Sequence, residues 1–232
     1  MFTALKEEYG HEGAFELGGL AGIPFVGRSG LGAYAHHVPD KDTQSGKLLI
    51  LYGPHVGISE TGDVGKIRRV GRAKLSGSCG AGIGAYQAIA KSAKLGVSKD
   101  YDFSEEYIIQ ELQKRISKDP SALDRKNQID PIVYTTYQVY CMSRDLLYSS
   151  VASSGTLEEC DEIAMVGGVI VNQYGDTDYF QPLSFQAVRK VESKNMYEIT
   201  DLYGKAFGKK PLLANIAGNE ESVQDVMTEI LL

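Results

Sequence analysis

Three cysteines in 232 residues are too few for a disulfide framework, and their odd number fits a reducing compartment. No apolar run approaches the roughly 20 residues that a membrane-spanning helix needs. Basic residues are outnumbered, 24 Lys and Arg against 30 Asp and Glu, and a net charge of -6 is the wrong sign for gripping a phosphate backbone through clustered cations. The one dense basic run, KIRRVGRAK from Lys66 to Lys74, alternates with apolar residues as a strand with one solvated face does. The N-terminal stretch MFTALKEEYGHEGAFEL carries acidic residues and no arginine, a composition of neither a secretory signal nor a transit peptide. The G-x-S-x-G, Walker A and H-E-x-x-H patterns are missing, as are internal repeats, low-complexity tracts and clear linkers. These absences point to a soluble intracellular protein that handles neither nucleic acid nor membrane.

What is present is an ordinary globular composition, 43% hydrophobic and 23% charged, in a chain long enough for one large α/β domain spanning residues 1–232. Of its 26 glycines, 18 fall between Gly10 and Gly84, so the first third is expected to consist of tight turns and close backbone approaches. A short helix is expected near residues 2–9, with strands at 23–26, 33–37, 47–52 and 64–70. KLLILY, apolar throughout, reads as a strand buried on both faces. A helix should start at Ser78 or Cys79, because serines there are good N-caps and AYQAIAKSAK follows. FSEEYIIQELQKRIS, residues 103–117, begins like a capping box. PIVYTTYQVYCMSRDLLYSSV, from Pro131 to Val151, is apolar around much of its circumference and reads as a central helix. EIAMVGGVIVN, Glu162 to Asn172, reads as a buried strand, YFQPLSFQAVRKV as its neighbour after a turn, and NEESVQDVMTEILL as a last amphipathic helix.

Two residues invite chemistry. His55 follows Pro54 just past a buried strand, at the carboxyl end where α/β sheets place ligands. Cys79 at a helix start would have its thiolate stabilised by the helix dipole and free N–H groups. Zinc takes thiolate and imidazole, and a catalytic zinc needs three protein donors, of which this pair supplies two. The spacing alone leaves open a hydrogen-bonded loop histidine and a cysteine packed under a helix. His36 and His37, adjacent on the expected strand, would point to opposite faces, so that only one could face a given site. Arg28, in the turn VGRSG, is suited to orienting an anion or to the surface. GAGIGA matches the dinucleotide pattern G-x-G-x-x-A, but its lead-in RAKLSGSC is no hydrophobic strand. Cys141 reads as core, and Cys160 as half-exposed before a strand.

The segments GLAGIPFVGRSGLGAYAHHVPD, LLILYGPHVGIS, GDVGKIRRVGR and SGSCGAG, in this order, closely resemble the limiting-carbon-dioxide-inducible B/C (LCIB/LCIC-like) family, and IAMVGGVIVNQ and DYFQPLSF continue the likeness. The resemblance implies a β-carbonic-anhydrase-like mixed sheet flanked by helices in a single domain, a Zn2+ site and reversible hydration of carbon dioxide to bicarbonate. It makes His55 and Cys79 metal ligands and places Arg28, His36 and His37 near the catalytic pocket, with Phe25, Val26 and Leu31 as an apolar wall. It also implies a homodimer or a related family subunit as partner; the expected compartment is the cytoplasm or, with a longer native N-terminus, an organelle such as a plastid. The family's remaining cysteine ligand, with an Arg and Asp close behind it, lies upstream of the helix before the LAG segment, and Met1 falls within the counterpart of that helix. The domain is therefore expected to lack the family's most N-terminal strand and ligand segment, with impaired activity. The alternative is a catalytically silent partner subunit or scaffold in inorganic-carbon handling.

Overall fold

The computed structural model describes residues 22–24, 27–39, 46–78, 82–84, 86–87, 103–116, 131–175, 177–191 and 196–208. In chain order its elements are helix α1 (Gly27–Ala35), strands β1 (Lys47–Tyr52), β2 (His55–Ile58), β3 (Lys66–Ile67) and β4 (Ser76–Gly77), helices α2 (Phe103–Ile116), α3 (Pro131–Ser153) and α4 (Thr156–Glu159), strands β5 (Glu162–Gln173), β6 (Tyr179–Val191) and β7 (Met196–Asp201), and helix α5 (Tyr203–Phe207). The chain forms two compact units. The first takes residues 1–53, 140–169 and 181–209, and the second takes 54–139, 170–180 and 210–232.

In the first unit β1 runs parallel to β5, Lys47 opposite Glu162 through Tyr52 opposite Gly167. The described strand order continues through β6 to β7, and β6 pairs with β7 antiparallel, so the α/β sheet is mixed. Residues 162–168 of β5 are all buried, which is what an apolar run with no alternation requires of a strand covered on both faces. β1 is less sealed than KLLILY implies. Ile50 and Tyr52 are buried while Leu48, Leu49 and Leu51 are only half-buried, because β1 ends the described strand order. Gly53 follows β1 at φ 144°, and a side chain there would stand 1.8 Å from the Gly168 carbonyl oxygen, so only glycine fits. α3 buries six successive residues, Val139 to Arg144, as a helix apolar around its circumference should. Its first residue is Pro131, whose fixed φ and missing N–H cost nothing at a helix start.

The second unit is turn-rich. β2 runs parallel to the last residues of β5, His55 opposite Ile170 through Ile58 opposite Gln173. β3 and β4 form a two-residue antiparallel pair, Lys66 opposite Gly77 and Ile67 opposite Ser76. Gly62, Gly65 and Gly71 all take positive φ, and this breaks the strand expected over 64–70 into a bridge at Val64 and the short β3. Val70 is fully exposed, so the basic run has no buried face there. Arg68 of this run instead pairs with Glu60 at 2.5 Å.

Four further expectations are corrected. Residues 27–35 form a helix, not the strand expected over 33–37, and Gly32 on it faces the chain at Ser154, whose carbonyl oxygen would stand 3.5 Å from a Cβ at that position. No strand is formed at Gly22 to Pro24, where only an isolated bridge occurs, and Phe25 and Val26 lie outside the described residues. Cys160 is fully buried rather than half-exposed. His55 is not in a loop: it opens β2. The helices expected near 2–9 and 219–232 fall outside the described residues.

Candidate functional site

The β2 strand owes its local geometry to Gly57. A Cβ built there would stand 2.6 Å from Ser78 Cβ, 2.9 Å from Ser78 Oγ and 3.0 Å from Ile67 Cβ, so the β3–β4 pair lies directly on this glycine. Ser78 is buried and tied by its N–H to the Gly65 carbonyl at 2.9 Å, while the Gly65 N–H reaches the Gly57 carbonyl at 2.8 Å. Side chains two apart on a strand share a face. The face of β2 that Ser78 covers at Gly57 is therefore the face that carries His55, and Ser78 is the residue immediately before Cys79.

His55 is half-buried, and its ring takes part in a chain of hydrogen bonds that runs across to β5 and the turn beyond it. His55 Nδ1 lies 3.1 Å from Asn172 Oδ1. Asn172 Nδ2 donates to Asp178 Oδ2 at 2.7 Å, and Asp178 Oδ1 accepts the Gln173 N–H at 3.1 Å. A carboxylate only accepts, so the amide atom facing Asp178 is the NH2 group, and the atom facing His55 is the carbonyl oxygen. The neutral imidazole would therefore donate from Nδ1 and keep the Nε2 lone pair for a ligand. Nothing in the sequence pattern pointed to Asn172 or Asp178. The available signal was an Asn at the last turn of a strand with an Asp six residues on, which as text is indistinguishable from turn chemistry.

Arg28, His36 and His37 belong to the other unit. Arg28 and His36 line one open depression of about 450 Å3 with Ser29, Gly32, Ala33, Ser153 and Ser154. Arg28 and Gly32 are spaced i, i+4 on one side of α1 and His36 follows in the turn just after its end, and this replaces the strand-face argument for the histidine pair. Both histidines lie in the turn after α1, both exposed, with the His37 N–H on the Tyr34 carbonyl at 3.0 Å. Leu31 points away into the core and is fully buried.

The first unit also holds a cluster of buried phenols. Ser184 Oγ stands 3.0 Å from Tyr52 OH and 2.9 Å from Tyr140 OH, and the two rings stack with centroids 5.9 Å apart. Tyr148 OH donates to Gln186 Oε1 at 2.5 Å. Burial, and then the neighbouring phenols, push Tyr52 far above the ordinary tyrosine range, burial raises Tyr140, and burial raises Tyr148 to about 12. These groups stay protonated at any ordinary pH and hold β1, α3 and β6 together.

As to a metal, His55 fits a donor position, since its tautomer leaves Nε2 free. Cys79 lies outside the described residues, and among the described residues no three His, Cys, Asp or Glu side chains gather as a metal group. No helix of the described residues is long and apolar enough to cross a membrane.

Residues 1–189 match the family model described as limiting CO2-inducible proteins B/C beta carbonic anhydrases. Among solved structures the chain is similar to PtLCIB4, a homolog of the limiting CO2-inducible protein LCIB, with 28% identity over 85% of this chain and 78% of that one and a TM-score of 0.65. A histidine-to-alanine mutant of PtLCIB4 matches at 28% identity over 81% of this chain and 75% of that one, TM-score 0.64. LCIB itself shares the fold, at 18% identity over 81% of this chain and 72% of that one, TM-score 0.55. A comparison with curated proteins finds no match.

Proposed function

The chain belongs to the family of limiting CO2-inducible proteins B/C β-carbonic anhydrases, and on that premise we propose that it hydrates carbon dioxide reversibly to bicarbonate with the help of zinc. The proposed donors are His55 through Nε2 and Cys79 through its thiolate, with a third donor from outside the described residues. The observation that carries the reading is the packing of Ser78, the residue before Cys79, on the face of β2 that bears His55. When bound, zinc lowers the pKa of water toward neutrality and so supplies a nucleophile at ordinary pH. The chain's own part is to hold and orient. Asn172 keeps the His55 proton on Nδ1, and Gly57 lets the segment leading to Cys79 approach. The product is an anion although the substrate is not, and the proposed role of Arg28 and His36, with His37 beside them, is to meet that charge. A homodimer, or a pairing with a related subunit, is part of the same proposal.

Stopped-flow hydration of carbon dioxide by the 232-residue chain tests this reading. Zinc-dependent turnover that falls to the buffer rate in His55→Ala is expected. Buffer-level rates from fully zinc-loaded protein would overturn it and leave the reading of a catalytically silent partner subunit.

A further inference from the structure

We propose that Asp178 and Asn172 are positioning residues that set the tautomer of His55, and that they act as one relay. The inference rests on the proposed zinc role of His55 only for its consequence, since the relay itself is a matter of hydrogen bonds within one unit. An imidazole free in water exchanges its single proton between two nitrogens, and a ligand that needs Nε2 finds it blocked whenever the proton sits there. Here the choice is made three groups away. Asp178 Oδ1 is anchored on the Gln173 backbone at 3.1 Å, which fixes the carboxylate beside the end of β5. Its second oxygen, 2.7 Å from Asn172 Nδ2, leaves the amide one orientation, because the opposite rotamer would set two acceptors against each other. Asn172 Oδ1 then faces His55 Nδ1 at 3.1 Å and accepts only if the proton is there.

Partners of this kind orient a metal-binding histidine and raise its basicity, and their loss weakens metal binding by about 10- to 100-fold. A carboxylate bonded directly to the imidazole would do the same while adding a charge at the ring. The interposed amide keeps that charge one residue further away and transmits only the orientation.

The relay assigns an outcome to each of three variants. In Asp178→Leu the Asn172 amide is free to turn over, and both tautomers should be populated. In Asn172→Leu the acceptor is gone, with the same result. Asp178→Asn offers one acceptor atom to two donors, the Gln173 N–H and Asn172 Nδ2, and should fall between the parent and the leucine variants.

The test is 15N-detected NMR of the imidazole in the 232-residue chain without metal, at a pH where His55 is neutral, together with zinc affinity from competition with a chromophoric chelator. The parent should show His55 protonated at Nδ1 alone, and Asp178→Asn a smaller shift toward mixed tautomers than either leucine variant. Asn172→Leu and Asp178→Leu should show mixed tautomers, with zinc held about 10- to 100-fold more weakly. An unchanged His55 tautomer in both leucine variants, each folded by circular dichroism, would overturn the relay. If the tautomers shift as stated but the parent binds no zinc, the relay stands and the zinc reading of His55 fails.

Discussion

Gly57→Ala places one methyl group where Ser78 meets β2, and its consequences can be worked from three distances. The backbone accepts the change, since Gly57 is not among the positive-φ glycines, and alanine in a strand interior is favoured over glycine by about 0.5 to 1 kcal/mol. The contacts do not accept it. The new carbon would lie 2.6 Å from Ser78 Cβ and 3.0 Å from Ile67 Cβ, against a carbon–carbon optimum of about 3.5 to 4.0 Å. Ser78 Cβ is not the end of a flexible side chain and cannot swing away. The β3–β4 pair must recede by about 1 Å, pulling on the bonds from Ser78 to Gly65 and from Gly65 to Gly57. Overpacking of this kind costs about 1 to 3 kcal/mol, which outweighs the backbone gain. Urea unfolding should show a lowered midpoint with unchanged slope. Ser78→Gly removes the nearest obstacle, so the double variant should recover part of the loss, with a coupling of about 0.5 to 3 kcal/mol. A Gly57→Ala protein within about 0.5 kcal/mol of the parent, or a double variant whose losses simply add, would refute the packing of Ser78 on β2.

Gly53→Ala combines a φ of 144° with a clash on the Gly168 carbonyl at 1.8 Å, and it should cost more than Gly57→Ala, about 3 kcal/mol or beyond, in the same unfolding assay. Stability should fall at high pH: unfolded phenols ionise near pH 10 while folded Tyr148 holds its proton to about 12, so the unfolded chain binds fewer protons between those values. The contribution is intact below pH 10 and lost as pH rises toward 12. Unfolding midpoints that do not move over that range, or tyrosinate absorbance that appears in full near pH 10 without unfolding, would count against the buried cluster. Sedimentation at micromolar concentration should give a dimer, and a clean 25.3 kDa monomer would contradict the proposed pairing.

The legible parts of the fold are those where burial dictates composition. β5 was readable because a strand covered on both faces has no polar alternation, and α3 because a helix sealed all round needs apolar residues at every angle. α1 was misread. GRSGLGAYA has the glycine content of a turn, and its packing is a tertiary contact, a Cβ at Gly32 meeting the Ser154 carbonyl oxygen at 3.5 Å, which no local propensity records. β2 was missed because Gly53 and Pro54 looked like the end of a strand, whereas the chain resumes pairing with Ile170 one residue later. Of the candidate site, the order of motifs pointed to His55 and Cys79, but the partners of His55 are 117 and 123 positions away. Spacing cannot show that Asn172 faces the ring or that Asp178 stands behind it.

The zinc content of the purified 232-residue chain, measured by mass spectrometry after dialysis against metal-free buffer and compared among the parent, His55→Ala and Cys79→Ser, is the most direct measurement. The expected result is measurably more zinc in the parent chain than in either variant, since the His55 imidazole and the Cys79 thiolate are the proposed donors. A parent chain that leaves dialysis empty, or variants that keep the metal as well as the parent does, would contradict the assignment of His55 and Cys79 as its ligands.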